Sequence, residues 1–217
     1  MEKKFNEIYS KGRNLYTHAF IDGRVYGEKL ITENGINYRE WNPFKSKYCA
    51  GLTNGLKENI FFKGATVLYL GSAEGTTVSH VSDIVGEEGN IFCVDLSEIA
   101  MQKLVKLSEK RENILPILSD AGIVDNYKEY LEDGVDALFQ DVSQKDQTEI
   151  FLKNAVFLKK NCLGALSLKT LSISQSEKKE KILENEKKKL ESVFEILQIV
   201  NLEPFETGHY LILVKKR

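Results

Sequence analysis

Cysteine is scarce in this chain: three in 217 residues, at Cys49, Cys93 and Cys162, with no CxxC pair among them. An odd count at that spacing argues against a disulfide framework and a cysteine zinc site, and for reduced thiols in an intracellular protein. Long apolar runs are missing too. Nothing approaches the roughly 18 residues of a membrane-spanning helix, and the mean hydropathy is −0.29. Met1–Glu7 lacks the apolar stretch of a cleavable leader, so the expected location is the cytoplasm. No internal repeat or low-complexity linker is present. A charge excess is also absent: 30 basic residues face 32 acidic ones, for a net charge of −2. A protein that grips nucleic acid unaided shows a basic excess or a basic stripe. Only a local cluster, Arg39, Lys45 and Lys47, leaves room for such a patch. What is plentiful is apolar content, 42%, enough for one large domain or one domain with a small appendage.

Two regions differ in pattern. Residues 1–55 read as a small antiparallel β subdomain and a linking helix. Its strands are expected over 15–20, 24–31 and 36–40, turning at Asp22-Gly23 and Asn34-Gly35, with the helix over 45–56. Residues 56–217 read as a second unit in which strands (67–70, 91–94, 114–118, 135–140, 163–169, 193–200, 209–215) alternate with helices near 77–85, 97–110, 123–131, 145–158 and 176–191. That alternation implies an α/β fold with a mostly parallel sheet covered on both faces, ending in an antiparallel hairpin at one edge. The charge-dense run 178–189 carries Ile182, Leu183 and Leu190 at helical intervals, and its lysines are interrupted by Glu180, Glu184 and Glu186. It reads as a solvated amphipathic helix.

The most informative stretch is Val67–Val85. A buried strand ends at Gly71, Gly75 follows, and Thr76 and Thr77 stand where a helix begins. This places backbone N–H groups at the carboxyl edge of a sheet, where ligands bind. The spacing is GxxxG and not the GxGxxG of a dinucleotide pyrophosphate site. It points toward S-adenosylmethionine, with a ligand-free tight turn as the alternative. Asp95 ends the next strand, about 20 residues on, where a carboxylate accepts hydrogen bonds from ribose hydroxyls. It equally suits a helix start with Ser97 and Glu98.

Gly75–Gly86, GTTVSHVSDIVG, resembles the signature of the fibrillarin family, the 2′-O-methyltransferases of box C/D ribonucleoproteins. Tyr38–Pro43 (YREWNP) with Ser46-Lys47, Val25–Glu28 (VYGE), and Asn201–Glu206 with His209 resemble other segments of that family in order and spacing. The likeness runs from about residue 15 to the end. The short length and the lack of Arg-Gly repeats resemble the archaeal form. The resemblance implies a Rossmann-like S-adenosylmethionine-dependent methyltransferase fold, mostly parallel with an antiparallel edge strand, plus the small N-terminal β subdomain. It implies methylation of a ribose hydroxyl in ribosomal and perhaps transfer RNA, inside a particle with a guide RNA, a Nop-type scaffold protein and a kink-turn-binding protein of ribosomal type. Such partners would supply the RNA grip that the charge balance lacks.

The resemblance also implies a site. Lys47, Asp141, Lys169 and His209 match the family's Lys-Asp-Lys-His set. Lys169 is the candidate to act on the hydroxyl, Asp141 to tune it and face the cofactor, and Lys47 and His209 to orient their neighbours. Each alone also suits a surface, capping or structural role. Gly71, Ala73, Gly75, Thr76, Thr77, Asp95, Leu96, Asp120, Ala121, Asp141 and Gln144 are the expected cofactor contacts, and no metal is expected. His80, inside the first helix, is assigned to packing or helix support.

Several positions depart from the family pattern. Glu74 adds a negative charge to the glycine loop, Asp95 replaces a longer glutamate, and Lys145 stands where a proline is usual. Thr170–Ile173 lacks the arginine often found there. Gly208 replaces the acidic residue before the final histidine, which removes an expected partner of His209. Glu74 and Gly208 favour an alternative reading, a weakly active or inactive structural subunit of the same particle. A stand-alone methyltransferase on a small molecule or protein is a third, opposed by Lys47, Asp141 and Lys169.

Overall fold

A computed structural model describes residues 1–217. The N-terminal part is a five-stranded antiparallel sheet of β1 (Glu2–Phe5), β2 (Ile8–Lys11), β3 (Asn14–His18), β4 (Leu30–Glu33) and β5 (Ile36–Trp41), in the order β1-β2-β3-β5-β4. The hairpin β1–β2 carries no strong signal, because its strands are only four residues long and, Phe5 and Ile8 aside, mostly polar or partly exposed. The strand expected over 24–31 shrinks to β4. The N–H groups of Val25 and Tyr26 bond the Glu28 carboxylate (2.9–3.1 Å), so they are withheld from any ladder.

A short 3-10 turn (Pro43–Lys45) leads into α1 (Lys47–Thr53), and the chain then alternates. In order come β6 (Thr66–Leu70), α2 (Thr76–Val85), β7 (Asn90–Asp95), α3 (Glu98–Ser108), β8 (Ile114–Leu118), β9 (Val135–Gln140), α4 (Gln147–Asn154), β10 (Leu158–Lys169), α5 (Thr170–Ile173), α6 (Lys179–Leu190), β11 (Phe194–Asn201) and β12 (His209–Lys216). The helix expected over 123–131 is instead two 3-10 turns, 124–126 and 128–131. Tyr127 is pinned between them, its hydroxyl lying 2.8 Å from Ala121 O and 2.7 Å from Asn154 Oδ1 and donating its one proton to either, which breaks helical continuity.

The seven strands run in the order β11-β12-β10-β9-β6-β7-β8. All neighbours are parallel except those of β12, which is antiparallel to both β10 and β11. The terminal hairpin thus lies at one edge, and its inner strand is the reversed one. Alternate residues of β6 face opposite cores. Val67 and Tyr69 pack with α1, α2 and α3, whereas Leu68 and Leu70 pack with α4 and α6. The first core also contains Ile8, Leu15 and Trp41, so the N-terminal sheet shares it. α1 lies against the large sheet, with Gly51 directly over Leu211. No helix is long and apolar enough to cross a membrane.

Buried charges lock the N-terminal sheet onto α2. Arg39, wholly buried, donates to Glu28 (2.6 Å), Asp83 (2.7 Å) and Ser79 O (3.1 Å), and Arg111 donates to Asp83 (2.8 Å). Two guanidinium groups and two carboxylates balance, as buried charges must. His80 joins this group, stacked on Trp41 (4.9 Å between ring centres). The Thr17 hydroxyl gives its one proton to Asp83 (2.7 Å), so it accepts from His80 Nδ1–H (2.8 Å). Nε2 then accepts from the Tyr26 hydroxyl (2.7 Å). Burial, with Arg39 and Arg111 nearby, holds the imidazole well below its usual pKa and therefore neutral.

Candidate active site

The four candidate catalytic residues come from four elements and meet at the carboxyl edge of the parallel strands. Lys47 opens α1, whose N-cap Ser46 accepts from Cys49 N (3.3 Å) and from the Thr77 hydroxyl (3.0 Å). Asp141 follows β9, and its N–H continues the ladder to Leu70 O (2.8 Å). Lys47 Nζ lies 2.9 Å from Asp141 Oδ2. Lys169 ends β10 and His209 begins β12, and the two are paired in the antiparallel register. The sequence therefore brings all four to one edge.

Burial alone pulls the Lys47 pKa down, but Asp141 and then Glu206 outweigh it, and the net shift is upward. Burial likewise lowers His209. Its Nδ1 lies 3.0 Å from Thr207 O, an interaction that opposes the shift, whereas Lys47 reinforces it. His209 does have an acidic neighbour, contrary to expectation: Glu206 Oε2 is 3.9 Å from Nδ1. Gly208 serves the turn instead. Its φ is +70° and its carbonyl accepts from the Thr170 N–H (3.1 Å) and hydroxyl (2.9 Å).

The glycine loop turns through positive φ, +80° at Gly71 and +91° at Gly75, which glycine adopts freely, and +47° at Ala73, where a Cβ makes it strained. A Cβ on Gly71 would stand 2.5 Å from the Asp141 carbonyl oxygen, so glycine lets β6 and the chain at Asp141 meet. Gly75 caps α2 without a side-chain hydrogen bond, so the N–H groups of Thr76 and Thr77 point toward an uncapped helix entrance. Asp95 accepts from Ala73 N (2.7 Å) and Ser97 N (2.9 Å), one bond per oxygen. A carboxylate offers about four acceptor positions, so two remain. Leu96 is exposed beside it, as is Ile99. Asp120 uses one oxygen on Gly122 N (2.7 Å), and Ala121 is buried with its carbonyl taken by Tyr127 and Asn154. The side-chain oxygens of Ser72 and Gln144 are buried without a partner. Glu74 is exposed and paired with Lys103 of α3.

Two residues beside the candidate set, Glu206 and Gln147, are not marked out by the sequence pattern. Gln147 is wholly buried and grips the backbone of Lys169 from both sides, accepting from its N–H (2.8 Å) and donating to its C=O (3.1 Å). A glutamine at a helix start carries no signal for this. Nothing in a linear pattern says that a β10 terminus will lie against it.

A family model described as fibrillarin matches residues 1–217. The chain belongs to the fibrillarin family. A relative from Thermococcus gammatolerans, named a fibrillarin-like rRNA/tRNA 2′-O-methyltransferase, is 46% identical over 204 residues, covering 93% of this chain and 90% of its own. Among solved structures, Aeropyrum pernix fibrillarin, crystallised with natively bound S-adenosyl-L-methionine, is 37% identical. It superposes with a TM-score of 0.87, over 95% of this chain and 92% of that one. Fibrillarin from a fibrillarin/Nop5p complex is 34% identical, with a TM-score of 0.90 and full coverage of both chains. The reversed penultimate strand and the glycine loop are thus features of a fibrillarin fold.

Proposed function

We propose that this protein is an S-adenosylmethionine-dependent RNA ribose 2′-O-methyltransferase, the catalytic subunit of a box C/D guide ribonucleoprotein acting on ribosomal RNA and on transfer RNA. The observation that carries this reading is the Lys47–Asp141 ion pair (2.9 Å), set beside the register-paired Lys169 and His209 at the mouth of the glycine loop. The cofactor fits the residues present. The two remaining acceptor positions of Asp95 suit a ribose diol, and the uncapped N-terminus of α2 suits a carboxylate. The free Asp120 oxygen suits an adenine amino group, the orphaned Ser72 and Gln144 oxygens suit polar ligand atoms, and Leu96 gives an apolar wall. Gly71, Ala73, Gly75, Thr76, Thr77 and Ala121 contribute the backbone that shapes the cleft.

When bound, S-adenosylmethionine supplies an electrophilic methyl group and its own leaving group. The protein holds the 2′-hydroxyl in line and takes its proton. In this reading the Lys169 amine receives that proton. Asp141, held by Lys47, fixes the local charge, and neutral His209 orients the sugar. Residues 1–55 brace residues 56–217 through the Arg39 network. The guide RNA selects the nucleotide, a Nop-type scaffold protein and a kink-turn-binding protein complete the particle, and the site of action is the cytoplasm. The structural-subunit alternative loses its motive, since Glu74 is neutralised by Lys103 and Gly208 is a turn residue with Glu206 close to His209.

The test is methyl transfer from labelled cofactor to a guided RNA in the reconstituted particle. Incorporation should vanish when the guided ribose is 2′-deoxy and when Lys169 is replaced by alanine. Cofactor binding and assembly without any incorporation would sink the enzymatic reading.

A further inference from the structure

Lys169 sits where the large sheet runs out of strand. β9 ends at Gln140, whose partner across the parallel ladder is Leu166. Three residues further along β10, Lys169 has β12 on one side and no β9 residue on the other. A main-chain N–H and C=O left unpaired there would loosen the end of the strand. The Gln147 side chain takes the place of the missing strand. Its Oε1 accepts from the Lys169 N–H (2.8 Å), and its Nε2 donates to the Lys169 C=O (3.1 Å).

A side-chain amide nitrogen carries two hydrogens, and the second is also used: Gln147 Nε2 donates to the Gln144 carbonyl (3.1 Å). The Gln147 backbone is held as well, because the Gln140 side-chain N–H donates to its C=O (2.6 Å). Both Gln140 and Gln147 are wholly buried. One side chain therefore ties the backbone of Lys169, the proton acceptor of the proposed reaction, to the segment that carries Asp141 and Gln144. The Gln144 side-chain oxygen is itself buried and unpartnered, one of the groups that suit polar cofactor atoms. Thr148, the next residue of α4, is equally buried, yet its hydroxyl bonds nothing.

We propose that Gln147 is a positioning residue for methyl transfer: it couples the cofactor-facing segment 141–144 to the end of β10, so that cofactor binding fixes where the Lys169 amine stands. The proposal rests on the ribose-methyltransferase reading and adds to it a residue that acts through Lys169. Methionine matches the length of this side chain but offers neither donor nor acceptor of its kind.

The experiment compares wild type, Gln147→Met and Thr148→Val in the reconstituted particle at saturating cofactor. Gln147→Met should lower kcat at least about tenfold, because a misplacement of about 1 Å costs a reaction on the order of a hundredfold. Its KM for target RNA should be unchanged, and calorimetry should still count one cofactor per chain, which shows that the fold is intact. Thr148→Val, which removes a buried hydroxyl outside the clasp, should match wild type throughout. In parallel, amide hydrogen exchange at the Lys169 N–H is followed by NMR with and without S-adenosylhomocysteine, which lacks the methyl group. The ligand should slow this exchange in wild type and not in Gln147→Met, where the N–H has lost its acceptor. A kcat within twofold of wild type overturns the proposal. So does a fall in kcat matched by an equal loss of cofactor stoichiometry, which would make Gln147 a folding residue only. Exchange at Lys169 in wild type that ignores the ligand also overturns it, and this measurement decides alone if Gln147→Met does not fold. A wild-type particle that shows the ligand-dependent protection but transfers no methyl group would leave the coupling standing and remove the enzymatic reading instead.

Discussion

Lys47 Nζ and Asp141 Oδ2 lie 2.9 Å apart although 94 residues separate them, and each side chain keeps about a fifth of its surface in solvent (23% and 19%). The pair joins the first residue of α1 to the end of β9, directly beneath the glycine loop. Two opposed effects act on Lys47: burial disfavours its charge, and Asp141 with Glu206 favours it more strongly.

Replacing Asp141 with asparagine should therefore let burial prevail and lower the Lys47 pKa. Heteronuclear NMR of the lysine side chain reads this directly. In wild type the raised value means that Lys47 stays cationic through neutral pH. The pair's contribution to stability is present there and is lost only as pH rises past its folded-state value, above the ordinary 10.5. Methyl transfer by the Asp141→Asn enzyme should fall on the order of a hundredfold or more. Retained turnover would remove Asp141 from the mechanism.

Acid should loosen the protein through its histidines. The folded-state pKa of buried His80 is well below 6.5, and that of His209 is lowered too. The unfolded chain then binds protons that the folded one refuses, so stability is full above pH 6.5 and declines as pH falls below it. Melting temperature measured between about pH 7.5 and pH 5 should show this decline. In His80→Gln the slope should flatten, at a lower stability throughout. A slope unchanged by that substitution would assign the acid sensitivity elsewhere.

Arg39→Ala strands Glu28 and half of the Asp83 carboxylate in the interior. Breaking a buried ion network from one side costs about 3–5 kcal/mol, to be read from urea unfolding. Arg39→Lys should recover little of this, because an ammonium cannot span Glu28, Asp83 and the Ser79 carbonyl at once.

Gly71→Ala should damage the site more than the fold. The added methyl would need the space of the Asp141 carbonyl at a φ of +80°. Cofactor affinity by calorimetry should drop at least tenfold, with a stability loss of about 1–3 kcal/mol. Gly55→Ala, at a similar φ but with open space around its Cβ position, is the control for backbone strain alone, and cofactor binding should be intact.

Much of this molecule is legible from local pattern. The apolar runs of β6, β7 and β9, the glycine break after β6 and the amphipathic periods of α3 and α6 are set by interactions within a few residues, where backbone sterics and side-chain alternation decide. The family motifs identified the lineage and singled out Lys47, Asp141, Lys169 and His209, and their meeting at one sheet edge follows from strand ends pointing the same way. Local pattern failed where long-range partners set the outcome. Val25 and Tyr26 bend around the Glu28 carboxylate and so leave no strand, and the segment around Tyr127 is pinned by Asn154 into 3-10 turns. Tertiary structure alone decided that His80 and Asp83 of the signature helix anchor the N-terminal sheet, that Glu206 stands near His209, and that Gln147 clasps Lys169. The reason is physical. Charge pairing and burial of polar groups depend on which distant segments share a volume, and that is fixed only when both sheets have closed on their common core.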